Sequence, residues 1–269
     1  MTESHDAEPA VLVERDGHVC IVTLNRPHVK NAMDLEVLAR LADAWVMIDE
    51  DPEIRVAILT GAGGDFSSGA DLKAMHGDQS GNPWHKRFVD DPDLQWKAFL
   101  RHHRLHKPLI AAVEGVALAG GTEILQGTHI RVAGESARFG VTEAKWGLFP
   151  LGGSTVRLRR QIPYTKALEL LLMARPIDAK EALELGLIGR IVPDGQALAT
   201  AREIADVIAS NGPLAVQGIL RSVIETEGLP ETEALKIELE IGWKVFNSED
   251  AKEGPRAFRE KRKPEFKAR

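Results

Sequence analysis

Short apolar runs alternate with amphipathic stretches over the first two thirds of the chain. The runs at 19–24 and 56–59 are short and β-rich, and Gly61-Ala62-Gly63-Gly64 closes the second. Between them Leu38, Leu41, Ala42, Trp45 and Ile48 recur three and four residues apart, which predicts a helix over 34–49 with one buried face. Residues 109–113 and 130–133 predict two more strands, and 187–192 a last one. Asp178 with Glu181 reads as a capping box whose helix stops at Gly186. After Pro193 the pattern changes. Residues 197–210, 213–225, 231–247 and 248–262 all carry helical periodicity with no strand between them. Strands alternating with helices, then helices alone, predict an α/β core with an appended helical region, joined near 195–205. The least periodic stretch, 74–98, holds Gly77, Gly81, Pro83 and Pro92 and reads as a surface loop or lid.

Composition narrows the function classes. With 269 residues, 43% of them hydrophobic and 28% charged, the chain can bury a sizeable core as one large domain or two modest ones. Lys and Arg number 34 against 40 Asp and Glu, a net charge of −6. That removes the global attraction to phosphate backbones on which non-specific nucleic-acid binding relies, so no nucleic-acid partner is expected. A single cysteine, Cys20, excludes an intrachain disulfide framework and an all-cysteine metal cage. No apolar run approaches the ~18 residues of a membrane helix. Residues 1–9 are polar and acidic, without the pattern of a secretory signal, and the expected location is cytoplasmic.

Several chemistries fail on motif. Gly61-Ala62-Gly63-Gly64-Asp65-Phe66 puts Phe66 where a dinucleotide fingerprint needs its third glycine. There is no P-loop, no Gly-x-Ser-x-Gly elbow and no His-Glu-x-x-His. His102, His103 and His106 cluster, with His102 and His106 on one face if the segment is helical, but no third metal ligand is evident and no metal is expected. Two glycine-rich turns are more informative. Residues 59–72 form one strand exit, and Gly115-Val116-Ala117-Leu118-Ala119-Gly120-Gly121-Thr122-Glu123 a second that runs into a helix. Small residues let backbone approach a ligand, and two such turns, if they converge, supply a pair of N–H donors to one developing oxyanion. Glu123 stands about one helical turn after Gly120, and Glu143 follows the next short β-like run. Two carboxylates near one anion site can divide acid and base roles, whereas glutamate's ordinary fate is a solvated surface.

The combination of Phe66-Ser67-Ser68-Gly69-Ala70-Asp71-Leu72, the 115–123 turn and Phe139-Gly140-Val141-Thr142-Glu143 resembles the crotonase superfamily, most closely its enoyl-CoA hydratases. Leu24-Asn25-Arg26-Pro27 with Asn31-Ala32-Met33, and Gly147-Leu148-Phe149-Pro150 with Gly152-Gly153, fit in the same order, so the likeness covers about residues 11–266. The resemblance implies a spiral of ββα units over 1–200 bearing an acyl-CoA site. It also implies a helical region over 201–269 that forms homotrimers, often paired into hexamers. Coenzyme A would enter as part of the substrate, with no metal or redox cofactor. The implied oxyanion hole is the N–H pair of Ala70 and Gly120, with Ala70, Asp71, Leu72 and Lys73 along the CoA. Glu123 would act on water and Glu143 on the α-proton of a trans-2-enoyl thioester, an allocation that the resemblance leaves open.

Departures touch the substrate. Thr142 replaces a common proline, Leu151 sits in a stretch that is usually small, and Thr122 and Trp146 are expected beside the acyl pocket, with Trp146 read first as packing and only second as a specificity wall. Lys261, Arg262, Lys263 and Lys267 read as a solvated tail or as contacts to CoA phosphates. Competing readings are an enoyl-CoA isomerase, a dehydratase of a hydroxyacyl- or carnitinyl-CoA, and a non-catalytic crotonase-fold protein that binds acyl-CoA or RNA. The presence of both glutamates argues against the first and the last.

Overall fold

The computed structural model describes residues 8–76 and 81–269. Strands β1 (Val11–Asp16) and β2 (Val19–Leu24) form an antiparallel hairpin, turned at Gly17 with φ +60°. Helix α1 (Leu35–Glu50) starts where the Asp34 carboxylate accepts the Val37 N–H at 3.0 Å. It buries Leu38, Leu41, Ala42, Trp45 and Ile48, the stripe that its sequence spacing predicts. Strand β3 (Val56–Gly61) runs parallel to β2. Three short helices follow, α2 (Leu72–His76), α3 (His85–Asp90) and α4 (Leu94–Ala98). The expected loop over 74–98 is therefore partly helical: Leu94 and Ala98 are buried, and the Trp45 indole donates to the Ala98 carbonyl at 3.0 Å. Its residues 77–80 lie outside the described ones.

Next come β4 (Leu109–Val113), β5 (Val116–Leu118), α5 (Gly120–Leu125), β6 (Ile130–Gly134) and β7 (Arg138–Gly140). They are followed by α6 (Ser154–Gln161), α7 (Tyr164–Met173), β8 (Ile177–Asp178), α8 (Ala179–Glu184) and β9 (Arg190–Val192). The long sheet has the order β1-β2-β3-β4-β6-β9, parallel after the hairpin, and β5, β7 and β8 make a second, small sheet. The strands β1 to β3 all belong to the long sheet, and from β4 onward each turn of chain gives one strand to each sheet.

The inner strands β2, β3 and β4 of the long sheet are covered on both faces, which is why they read as continuous apolar runs. Along β3, Ala57 and Leu59 enter one core with α1, while Val56 and Ile58 enter another. That second core is closed by α9 (Ala197–Ser210), whose Ala197, Ala201, Ala205 and Ala209 form a stripe small enough for the helix to sit close to the sheet. The expected junction at 200/201 falls inside this helix. Beyond it lie α10 (Pro213–Glu225), α11 (Glu231–Phe246) and α12 (Glu249–Glu260). The tail returns onto α12. Asp250 accepts the N–H groups of Lys267 and Ala268, and Arg262 pairs with Glu253 and Glu260. Of the four C-terminal positive residues, Arg262 is therefore held in ion pairs instead of free in solvent.

Candidate active site

The site begins with what positions the two turns. Asn31 is buried and spans the exit of β3: its amide donates to the carbonyls of Ala62 and Asp65 at 2.9 and 2.6 Å, and its oxygen accepts the Arg26 N–H at 2.8 Å. The Arg26 guanidinium pairs with Asp71 at 3.0 Å and Asp34 at 3.2 Å. Ser67 then zips onto β5, donating its N–H to Val116 and accepting that of Leu118, at 2.8 and 2.9 Å. This pairing carries Ala70 to the start of α5. The close approach requires Gly69, which holds φ +96° and whose Cβ would stand 2.8 Å from the Ala119 Cβ and 2.9 Å from the Leu118 carbonyl. Ala119 itself sits at φ 48° and ψ −122°, a costly conformation for an L-residue. Neither the Ala70 nor the Gly120 N–H has a hydrogen-bond partner among the described residues.

Both residues line a cavity of about 430 Å³ with Glu123 and Glu143. Its apolar wall comes from Met33, Leu38, Trp96 and Phe99, and Trp146, Phe149 and Leu151 stand on the more exposed side. Ala70, Asp71 and Leu72 belong to the lining, and Lys73 lies exposed on α2 outside it.

The two glutamates, 20 positions apart in sequence, meet here in contrasting surroundings. Glu123, 4% exposed on the wholly buried α5, accepts the Gly152 N–H on one oxygen at 2.9 Å and the Ser154 N–H on the other at 3.1 Å. Burial pushes its pKa up, and these amide donors pull against it by favouring the carboxylate. Glu143 opens a 3-10 turn (Glu143–Trp146), and its Oε2 is buried with no partner among the described residues. Burial first, and then the charge of Glu123, push its pKa up to about 7. One carboxyl is thus held by donors and the other is poised to keep a proton near neutral pH.

Some expectations need correction. Thr122 is not in the cavity wall. Its buried hydroxyl donates to the Ala117 carbonyl at 2.5 Å and accepts the Gly140 N–H at 2.9 Å, which locks the two short strands together. Trp146 does reach the lining but is 69% exposed, so it is a wall at the mouth and not core packing. His102 and His106 share no helix face, because residues 101–107 are not helical. His102 pairs with Asp93, while His103 and His106 face Asp49. Among the described residues no three potential ligands converge on a metal position. The residues that sequence reasoning missed are Trp96 and Phe99, hidden in the aperiodic stretch and just after it, and Ser154, whose only signal is its place after Gly152-Gly153.

Residues 14–269 match the enoyl-CoA hydratase/isomerase family. Enoyl-CoA hydratase EchA19 of Mycobacterium tuberculosis is 59% identical over 264 residues, 98% of each chain. The short-chain-enoyl-CoA hydratase of Clostridium acetobutylicum is 38% identical over 261 residues, 96% of this chain and 98% of that one. Among solved structures, an enoyl-CoA hydratase from Mycobacterium tuberculosis H37Rv matches with a TM-score of 0.88 at 40% identity, covering 97% of this chain and 100% of that chain. The matched span takes in both glycine turns, both glutamates and the C-terminal helices, and the chain belongs to the enoyl-CoA hydratase/isomerase family with its crotonase-type α/β fold.

Proposed function

We propose that this chain is an enoyl-CoA hydratase, adding water reversibly to a trans-2-enoyl-CoA thioester to give the 3-hydroxyacyl-CoA. The observation that carries this reading is the pair of facing carboxylates in one apolar cavity beside two backbone N–H groups that have no hydrogen-bond partner among the described residues. The thioester oxygen sits between the N–H groups of Ala70 and Gly120. Glu123, charged, takes a proton from water as the water oxygen bonds to the β-carbon. The double-bond electrons move to the thioester, and the resulting enolate oxygen is stabilised by the two N–H groups, worth ~3 kcal/mol each by analogy with other oxyanion donors. Glu143 delivers its proton to the α-carbon, and the enolate electrons form the new C–H bond. Water has then added in full, and a proton passing from Glu123 to Glu143 resets the pair. The chemistry uses only water, the thioester and these residues.

The CoA portion runs past Ala70, Asp71 and Leu72 toward Lys73, and the apolar wall of Met33, Leu38, Trp96 and Phe99 suits a hydrocarbon acyl group. The exposed Ile219 and Val223 of α10 and Leu235, Leu239, Trp243 and Phe246 of α11 support self-association into a homotrimer or a dimer of trimers. Light scattering checks that point, and a monomer at assay concentration refutes it. The function itself is tested by following loss of enoyl absorbance with crotonyl-CoA and with longer and branched enoyl-CoAs, the products confirmed by mass. Hydration that is lost in both Glu123→Gln and Glu143→Gln, with thioester binding retained, is the expected result. No turnover across the panel despite bound acyl-CoA would overturn the reading.

A further inference from the structure

We propose that Arg157 is a positioning residue for the acyl group: by capping the end of α4 it holds the Phe99 ring against the oxyanion donor Gly120, and so sets which enoyl groups the cavity admits. The consequence for turnover rests on the hydratase reading above. Helix α4 brings Trp96 and, at its end, Phe99 into the cavity wall. The chain then turns through Leu100, which holds φ +53°, a left-handed conformation that leucine adopts only at a cost. The last carbonyls of a helix find no partner within it, and here Phe99 and Leu100 are both buried. The donor is the buried guanidinium of Arg157, from the first turn of α6. One of its nitrogens donates to the Leu100 carbonyl, and the other lies 3.5 Å from the Phe99 carbonyl.

Contacts on two glycines show how closely this turn is registered against the site. Leu100 packs on Gly127, just past α5, where a Cβ would stand 2.8 Å from the leucine's own. The Phe99 ring lies on Gly120, where a Cβ would stand 3.2 Å from both Cε1 and Cζ. Any retreat of the turn therefore opens the wall next to the N–H that grips the thioester. Helix α6 also supplies the Ser154 N–H to Glu123, so one helix places the acyl wall and the base carboxylate together. A buried cation is a costly way to close a turn. Burial pushes the Arg157 pKa down to about 10, with Arg104 and Arg101 adding to the push and Glu123 and Glu227 opposing it. Lysine presents its donors from one point on a flexible stem, and cannot fix the direction of the turn as the planar fork does.

The test compares crotonyl-CoA with its α-methyl homologue tiglyl-CoA, whose extra methyl branches from the carbon next to the thioester carbonyl, beside Gly120. The wild type should prefer crotonyl-CoA. In Arg157→Met the ratio of kcat/KM for crotonyl-CoA to that for tiglyl-CoA should fall by about tenfold, the scale on which a close-fitting pocket discriminates one carbon. Loss of the charge facing Glu123 slows both substrates alike and leaves the ratio alone. Arg157→Lys keeps that charge and should lower the ratio by less, and it carries the test if the methionine variant does not fold. Because the effect runs through Phe99, Phe99→Ala lowers the ratio by itself, and adding Arg157→Met to it lowers the ratio no further. A merely structural arginine would lower the Tm and both rates together. A wild type without the preference, an unmoved ratio in the folded variant, or additive effects in the double one overturns the proposal. Calorimetric titration with butyryl-CoA and 2-methylbutyryl-CoA, which have no double bond to hydrate, reads the same discrimination as a ratio of Kd values. A chain that binds these thioesters but hydrates no enoyl-CoA sinks the hydratase reading alone, and a Kd ratio that Arg157→Met leaves in place sinks this one.

Discussion

Gly69→Ala tests whether Ala70 and Gly120 work as one anion site. Two penalties can be worked out from the structure. Gly69 holds φ +96°, where an alanine is strained by on the order of 1–3 kcal/mol. Its Cβ would also stand 2.9 Å from the Leu118 carbonyl oxygen and 3.0 Å from the Gly120 nitrogen, both backbone atoms, whereas ordinary contact begins at 3.4 Å. One turn must therefore retreat from the other by roughly half an ångström, since packed interiors have no slack to absorb it. Ala70 N–H is the next donor along the chain, so the retreat spoils the aim of one oxyanion donor. Loss of one such donor lowers kcat by about 10²–10³-fold. KM for crotonyl-CoA should stay within a few-fold, because contacts along the CoA do not change as the reaction proceeds. Steady-state kinetics, with circular dichroism to verify folding, reads both numbers. Adding Ala119→Gly removes the nearest side-chain contact, at 2.8 Å, but leaves the two backbone ones, so the double variant should recover little. A folded Gly69→Ala protein with near wild-type kcat would refute the assignment of these N–H groups to an oxyanion hole.

Other outcomes follow from the same geometry. Ala119→Gly relieves the φ 48° strain and should stabilise the chain by about 1 kcal/mol, a rise of roughly 2 °C in Tm by scanning calorimetry; an unchanged or lower Tm contradicts it. Lys107 is buried and its Nζ donates to the carbonyls of Ile48 and Asp51 at 2.6 Å each, closing the end of α1. Lys107→Met should cost about 1–3 kcal/mol, measured by urea unfolding, and a neutral result would mean that water replaces the ammonium. Glu143 in the folded chain has its pKa raised from 4.5 to about 7, so the native state holds the proton more tightly and stability falls as pH rises across that interval. Glu143→Gln removes this slope, so its Tm advantage over wild type should grow from pH 5 to pH 8; a constant difference would mean that the carboxyl is solvated.

Elements were legible in the sequence where they bury a periodic face. The α1 stripe and the alanine stripe of α9 are both of this kind, as are the strands β2, β3 and β4, which are covered on both sides. Strand β1 escapes because it lies at an edge and only Val11 is buried. In the small sheet β5 and β8 are three and two residues long, too short for any period to declare itself, and β7 shows only as the short β-like run before Glu143. The expected strand over 187–192 begins late because Leu187 and Ile188, though buried, close helix α8 by donating to the Ala182 carbonyl. In the site, each glycine turn was visible as a turn, but their meeting depends on Ser67 pairing with Val116 and Leu118 across about 50 residues. The Glu123 bonds to Gly152 and Ser154 are likewise long-range. Local pattern carries turn chemistry; convergence is a property of the sheet order.

The same substitution at the two glutamates should have different structural costs, and the reason lies in what faces each oxygen. Both Glu123 oxygens accept backbone N–H groups, from Gly152 and Ser154. Glutamine has only one acceptor, so in Glu123→Gln an amide NH2 must face one of those N–H donors, leaving two donors opposed in a buried place. That costs about 1–3 kcal/mol. Relief from burying a charge pulls the other way, but this charge is already met by two amides and the start of α6. Glu143 has an oxygen with no donor facing it among the described residues, and with a pKa of about 7 it is neutral at pH 5. Glutamine there replaces one neutral group of similar size by another. At pH 5, then, Glu123→Gln should lower Tm by several degrees while Glu143→Gln leaves it near the wild-type value, though both abolish hydration. Equal shifts would mean that the donors at Gly152 and Ser154 do not distinguish the two carboxyls, and the allocation of base to Glu123 and acid to Glu143 would lose its physical basis.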